Sequence, residues 1–481
     1  MSAPPHVQGL AVKRYETLAA EVAAAIAAGL FAPGQRLPSI RQASRDRGVS
    51  PSTVFEAYSR LEAQGLVEVR PRSGWYVTAV APPRPPEPER RSAPDGEARP
   101  VTTGELVFSL LASTMRRDVV PLGSAFPDPA LFPHARLAGE LARAGRRLGA
   151  DPRAAGDDLT PGSLALRRQI ALRYAAAGAR VDPEAIVVTN GALEALNLCI
   201  AAICRPGDTV IVESPCFYAC LQVLARHGLH ALEVATDPRT GVDLEALEVA
   251  ILRHRPAAAW VMTDFQNPLG ASMDAAKKQA LVALASRHRL PLIEDAVYAD
   301  LHDGPRPVST KAFDGEGWVL HCGSFSKTLA PGWRVGWCAP GRFAREVAQQ
   351  KLAASLATNV PAQLGIAAWL EHGSFERHLR RLRATLAEWR ERYRQRVQAH
   401  FPAGTRIGRP GGGYFLWIEL PEQVDVMALQ RAAMARGISL SPGPMFSASA
   451  GFTHHLRMNC GYRPDARVAE AIAVLGDLAA L

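Results

Sequence analysis

Lys327 is the residue around which chemistry can be read first. It stands in Gly-Ser-Phe-Ser-Lys-Thr-Leu-Ala-Pro-Gly-Trp-Arg-Val-Gly-Trp, residues 323–337, directly after the strand-like run Trp-Val-Leu-His-Cys at 318–322. A lysine among small, hydroxylic and apolar residues loses part of its preference for the charged form. Its amine can then attack a carbonyl and hold it as a Schiff base. Four segments upstream arrive in an order that serves such a lysine. Residues 189–196, Thr-Asn-Gly-Ala-Leu-Glu-Ala-Leu, follow a strand pattern at 185–188 and open a helix. Backbone N–H groups from Gly191, Ala192 and Leu193 are therefore placed to hold a phosphate at a helix N-terminus. Glu213 to Tyr218 puts aromatic faces after a second strand, Gln266 to Gly270 an amide after a third, and Leu292 to Tyr298 a carboxylate and a phenol after a fourth.

This ordered set resembles the fold-type I aminotransferases, which bind pyridoxal 5′-phosphate (PLP), and the resemblance runs from about residue 122 to residue 457. It implies that Lys327 carries the cofactor covalently. Asp295 would pair with the pyridinium nitrogen and keep the ring an electron sink. Tyr298 and Asn267 would bond the ring's phenolate oxygen, and Phe217 would stack on the ring. Ser324, Arg334 and the turn Gly191, Ala192, Leu193 would hold the phosphate, with Arg334 as a charge-assisted donor. Arg457, in Leu-Arg-Met-Asn at 456–459, is the implied fork for the α-carboxylate of an amino acid. Residues 122–133 resemble the family's N-terminal arm, which lies near the substrate.

Strand and helix patterns alternate between residues 185 and 337, as a mostly parallel sheet with covering helices requires. From about residue 343, arginine-rich helices and two strand patterns imply a smaller C-terminal α/β domain. The fold class is thus α/β, with a large sheet domain and a smaller partner.

The chain has 481 residues, enough for two or three domains, with 48% hydrophobic and 21% charged residues. Its net charge of +9 is compatible with a polyanionic partner. The seven cysteines have neither metal-ligand spacing nor a secretory framework, so they read as cytosolic thiols and no metal is expected. There is no signal-like segment and no apolar run of about 18 residues, which points away from a membrane and towards the cytoplasm.

Before the chemistry-bearing body lies a different pattern. An apolar stripe of Tyr15, Leu18, Val22 and Ile26 predicts a helix over residues 14–28. Ser39 can cap a second helix, and Ser50 a third with Pro51 at its first position. Strands at 66–70 and 75–78 follow, joined by Pro-Arg-Ser-Gly. This order is that of a winged helix-turn-helix. The turn at 37–41, the helix start at 49–54 and the wing at 73–77 resemble the GntR-type DNA-binding domain. The candidate DNA contacts are Arg36, Arg41, Ser50, Ser52, Thr53, Arg72 and Gly74, with Arg45 and Arg47 read as a solvated face. Pro51 departs from the arginine that many relatives carry there. Residues 81–104, rich in proline and arginine, read as an extended spacer. The expected division is therefore 1–80 as a DNA-binding domain, 81–104 as a linker and 105–481 as the PLP-binding domain.

A GntR-type reader, a linker and an aminotransferase-like body together resemble the MocR-type regulators. The resemblance implies a homodimeric transcription factor that binds a two-fold, double-stranded operator and senses PLP or an amino compound joining it as an imine. Asp157 stands where relatives commonly carry a tyrosine that reaches the partner's phosphate, and Ala192 where many carry a hydroxyl. Two alternatives remain open: an active PLP-dependent aminotransferase with a DNA-binding domain, and a DNA-binding regulator with a vestigial cofactor site.

Overall fold

Two serines decide where the DNA-reading helices begin. The Ser39 hydroxyl accepts from Gln42 N and the Ser50 hydroxyl from Thr53 N, each satisfying a donor that the first helical turn leaves open. In this computed structural model, residues 14–27, 30–32, 34–70, 73–78, 86–88, 91–101, 104, 107–108, 118–151 and 161–481 are described. The chain divides into two units, Met1–Pro85 and Pro86–Leu481.

In the first unit, α1 (Arg14–Ala27), α2 (Ile40–Arg47) and α3 (Pro51–Ala63) pack over a hairpin of β1 (Val67–Arg70) and β2 (Gly74–Val77). Leu18 and Val22 from α1 meet Val54, Tyr58 and Leu61 from α3 and Trp75 from β2 in a single core. The i, i+3, i+4, i+7 spacing of the buried α3 residues produces this stripe. Arg47 and Arg60 form ion pairs with Glu21 and Glu16 of α1.

The second unit is built on a nine-stranded sheet. Its main path runs β3 (Arg99–Pro100), β6 (His230–Asp237), β5 (Thr209–Ser214), β8 (Ala258–Val261), β9 (Leu292–Asp295), β10 (Val319–Ser324), β11 (Gly336–Ala339), β4 (Val187–Thr189), and β7 (Gly241–Val242) pairs with β6. The central ladders β6–β5–β8–β9–β10 are parallel. β8, β9 and β10 are buried along their whole length and β5 and β6 along most of theirs, as a parallel sheet covered on both faces demands. Helix α4 (Ala192–Ile203) follows β4 and α5 (Leu244–His254) follows β7. The smaller sheet has the order β12 (Arg406–Ile407), β13 (Phe415–Glu419), β15 (His455–Asn459), β14 (Ser441–Pro442), all antiparallel. It follows the 27-residue helix α6 (Ser374–His400).

The spacer expected over residues 81–104 is corrected over residues 86–88 and 91–101. Arg99 and Pro100 pair with Ala231 and His230 of β6, which would otherwise be an open edge. Arg91 pairs with Asp243, Glu97 with Arg253 at 3.1 Å, and Glu87 with Arg239 at 3.4 Å. These three charges have partners supplied by distant segments. The unit boundary accordingly falls at residue 85. Arg72 and Asp157, both named from sequence, lie outside the described residues.

Cys199 Sγ lies 3.3 Å from Cys338 Sγ and 3.7 Å from Cys322 Sγ. All three are buried in the apolar core between α4 and the sheet. Among the described residues, no helix is long and apolar enough to cross a membrane.

Candidate cofactor site and DNA-reading surface

Parallel strands deliver their side chains to the carboxyl edge of the sheet, where doubly wound folds bind ligands. Asp295 is the last residue of β9 and is registered against Cys322 of β10. Lys327 follows β10 by three residues. Its amine lies inside the unit, donating to Ala125 O at 2.8 Å and sitting 3.9 Å from the Phe126 ring centre and 6.0 Å from that of Tyr298. Burial, with the Arg457 and Arg334 charges adding and Asp295 opposing, lowers the amine to about 7. Burial pushes the Asp295 carboxyl up to about 7, against the pull of the Val297 N–H and Lys327. The Tyr298 phenol is also pushed up by burial, so it stays a hydrogen-bond donor at neutral pH.

The two acid–base groups have opposite linkage. Asp295 keeps its proton to about pH 7 when folded, whereas an unfolded aspartate releases it near pH 4. The folded chain binds the extra proton between those values, so this group costs progressively more stability as pH rises from about 4 to about 7. Lys327 imposes its full cost below pH 7 and is relieved as pH rises towards about 10.5. In the cofactor-free protein, Asp295→Asn should therefore gain on the native chain between pH 4 and 7, by up to about 4 kcal/mol. Urea melts of both chains at pH 4.5 and 7.5 measure this. An unchanged gap between them would place the carboxyl's ionisation elsewhere.

At the other end of the site, Arg334 takes a left-handed backbone conformation, with φ 52°, and donates to Ser326 Oγ at 2.9 Å and Asn190 O at 3.4 Å. Gly191 has φ +87°, a backbone conformation that residues with a Cβ rarely adopt, and a Cβ there would lie 2.3 Å from Arg334 Nη2 and displace the guanidinium. Gly191 caps α4 with no side-chain bond, and the first-turn N–H groups of Ala192 and Leu193 have no intrahelical acceptor. An anion cradle of backbone N–H groups and a guanidinium results. Ser324 lies beside it, but its hydroxyl is tied into the loop, accepting from Ser326 N at 3.0 Å and lying 3.3 Å from Val335 O.

Arg457, 0% exposed, donates from Nη1 to Asn267 Oδ1 at 2.9 Å and from Nη2 to Gly123 O at 2.8 Å, with Ser124 O and Ser441 Oγ slightly further away. Asn267 Nδ2 and Arg457 Nε are buried without a partner among the described residues. Phe217 is partly buried, its ring 4.7 Å from that of Tyr218.

The structure thus brings Lys327, Asp295, Tyr298, Asn267 and Arg457 into one electrostatic group and Gly191, Ala192 and Arg334 into one cradle. Three contributors escaped the sequence reading. Ser326 fixes Arg334, Tyr414 donates to Ala125 O at 3.0 Å while bonding with Tyr298, and the arm carbonyls of residues 123–125 engage both Lys327 and Arg457. The run Gly-Gly-Gly-Tyr at 411–414 was the available signal for Tyr414.

These residues fit PLP: an amine for its aldehyde, a buried carboxyl for its ring nitrogen, donors for its ring oxygen and a cradle for its phosphate. The orphaned Asn267 Nδ2 and the Arg334 guanidinium lying against Gly191 are both donors such a group would use. When bound, PLP supplies an electron sink for the α-carbon of an amino compound. The chain supplies the rest: Lys327 offers an amine that is neutral in about half of the molecules near pH 7, Asp295 can hold or release a proton, and Arg457 can orient a carboxylate.

On the reading head, the Ser50 hydroxyl lies 2.9 Å from Ser52 Oγ and 2.8 Å from Thr53 Oγ1 at the start of α3. The Arg36 guanidinium runs along the wing, where a Cβ on Gly74 would come within 3.1 Å of its Nε. Arg41 is exposed on α2.

Sheet order, arm and site together define an aminotransferase body of fold type I joined to a winged helix-turn-helix. Residues 117–475 match the aminotransferase class I and II family, and residues 14–77 the bacterial regulatory proteins of the gntR family. The chain is 43% identical to the Escherichia coli protein named "Uncharacterized HTH-type transcriptional regulator YdcR" over 97% of its length and 99% of that protein's. It is 37% identical to the similarly named YjiR of the same organism, over 96% and 98%. Among solved structures, LysN, the α-aminoadipate aminotransferase of Thermus thermophilus complexed with N-(5′-phosphopyridoxyl)-L-leucine, has a TM-score of 0.71 and 28% identity, with 78% of this chain and 97% of that one covered. The chain belongs to the aminotransferase class I and II family, within the GntR-type transcriptional regulators of MocR-like architecture, and its cofactor is PLP.

Proposed function

We propose that this regulator senses PLP, or an amino compound that reacts with it, and converts occupancy into a change in operator affinity. The observation that carries the reading is the docking of residues 86–88 and 91–101. Pro86 O accepts from Ile407 N of the smaller sheet at 2.9 Å. Further on, Thr236 N donates to Ser92 Oγ at 2.8 Å, Arg91 pairs with Asp243 at the start of α5, and Arg99 and Pro100 extend the large sheet. The chain leaving the DNA-reading unit is therefore fastened first to the smaller domain and then to the larger one. A shift of one domain against the other pulls on this strap.

The site is linked to the same movement through the arm. A carboxylate arriving at Arg457 competes with Gly123 O and Ser124 O, and chemistry at Lys327 leaves Ala125 O with Tyr414 alone of its two side-chain donors. That arm is held by the smaller domain: Asn459 N donates to Leu122 O at 2.8 Å and Ser439 N to Val120 O at 3.0 Å. Homodimerisation is supported by exposed Leu193 on α4 and exposed Leu352 on the helix Ala344–Ser355, which packs against α4. Seven free cysteines support a cytoplasmic setting.

Arg91→Glu tests the strap. We expect PLP uptake and effector-free operator binding to stay within about twofold, while the effector-dependent change in operator affinity collapses, because a surface reversal rarely disturbs folding. Full retention of the response in that variant would remove the strap from the account. A second reading, catalytic turnover in the same site, is favoured by the lowered Lys327 amine beside Arg457. Sustained conversion of an amino acid and a keto acid would select it.

A further inference from the structure

The reading helix has an unusual exposed face for a protein that binds a polyanion. On α3, Ser52, Phe55, Glu56 and Ser59 lie opposite the buried stripe of Val54, Ala57, Tyr58 and Leu61, and none of the four is basic. Phe55 is 53% exposed, one turn from the N-terminal end that carries Ser50 and Ser52. Its ring stands edge-on to Trp75 of the wing strand, with centres 6.4 Å apart and planes 78° apart, so its direction is set by a rigid neighbour. Among the described cations of the head, Arg36 lies along the wing and Arg41 is exposed on α2, the elements that follow and precede α3 in the chain, whereas Arg47 and Arg60 are tied to glutamates of α1.

We propose that Phe55 reads DNA sequence directly, by apolar contact with the 5-methyl group of thymine in the major groove. The inference rests on the DNA-binding role of the head and goes beyond it by assigning the base and the residue. In the major groove thymine is the only base with a methyl group, and an apolar side chain on a reading helix distinguishes it from cytosine and from uracil. Cations on the wing and on α2 hold phosphates and fix register, leaving the helix face free to read bases. Neighbouring Glu56 is an acceptor only, suited to the cytosine 4-amino group, and it deters a phosphate from that face. The expected half-site therefore has a thymine under Phe55, read without any arginine-to-guanine fork from α3.

The test begins with selection of duplexes from a random pool by the full-length protein, native and Phe55→Ala. Each thymine of the selected half-site is then replaced singly by deoxyuridine, which removes only the methyl group. For the native protein, one deoxyuridine position should weaken binding about fourfold, the equivalent of one buried methyl. With Phe55→Ala the same replacement should cost nothing, and the selected pool should lose its thymine preference at that position. Phe55→Leu, which keeps an apolar contact, should retain most of the preference. Identical base preference in native and Phe55→Ala pools overturns the proposal, as does a deoxyuridine cost that persists in the variant. A change in dimerisation by Phe55→Ala with unaltered base preference overturns it too, since the ring then serves protein contact. Failure of the DNA-binding reading itself is distinct: no duplex would be enriched, and no salt-dependent binding would be seen with native protein.

Discussion

Lys327→Ala should abolish all borohydride-trappable PLP, taking the protein from one labelled lysine per chain to none, without loss of folding. The expectation follows from position. The Lys327 amine is held inside the unit by Ala125 O and the Phe126 ring, close enough to Asp295 for their charges to couple. No interaction essential to the core is lost, because burial disfavours the charged amine. Its folded-state value of about 7, against about 10.5 unfolded, means that the native lysine costs stability in full below pH 7. The variant should therefore melt at an equal or higher temperature than the cofactor-free native chain at pH 6, with that advantage fading as pH rises. Peptide mapping of the reduced protein checks the assignment, and a pyridoxyl group on another lysine would refute it.

Arg457→Ala should remove the response to amino acids by about 100-fold or more in effective concentration, while PLP uptake survives. Truncating one partner of a buried, hydrogen-bonded charge pair costs about 2–5 kcal/mol, and the carboxylate of an amino acid would form such a pair with Arg457. Arg457 is fully buried and its Nη1 bond to Asn267 fixes its plane. An amine without a carboxylate is the control: its effect on operator binding should be unchanged by the substitution. If both ligands lose their effect equally, Arg457 supports the arm and not the ligand. Dose–response curves of operator binding for the two ligand types separate these outcomes.

The parts of this molecule that were legible in the sequence depend on local rules. Ser39 and Ser50 cap the helices that their spacing implied, Pro51 opens the reading helix, and the central strands alternate with helices as the parallel sheet needs. The order of Gly191, Asn267, Asp295 and Lys327 was readable for the same reason, since each follows a strand and the fold brings strand ends together. What stayed hidden depends on partners far away in the chain. The arm reaches Arg457 across more than 300 residues, as the bond between Gly123 O and Arg457 Nη2 does. Ser326 matters through a single contact that carries no spacing signal, and Tyr414 through contacts to Ala125 and Tyr298 that its glycine run does not specify. The proline-rich stretch has a spacer's composition, yet Asp243, Arg253 and the edge of β6 give residues 91–101 a docking place. Phe55 was not singled out in the sequence, and only its exposure sets it apart from the buried stripe beside it.

Coupling between the cofactor site and the reading head is the claim on which the rest depends, and linkage gives it a strict form. The most direct measurement is a paired titration of the full-length protein: operator affinity with and without PLP plus the amino compound, and ligand affinity with and without operator. The two ratios should be equal and differ from one by about fivefold or more, with Lys327→Ala returning both to one. Tight operator binding and tight PLP binding with both ratios equal to one in the native chain would contradict the account.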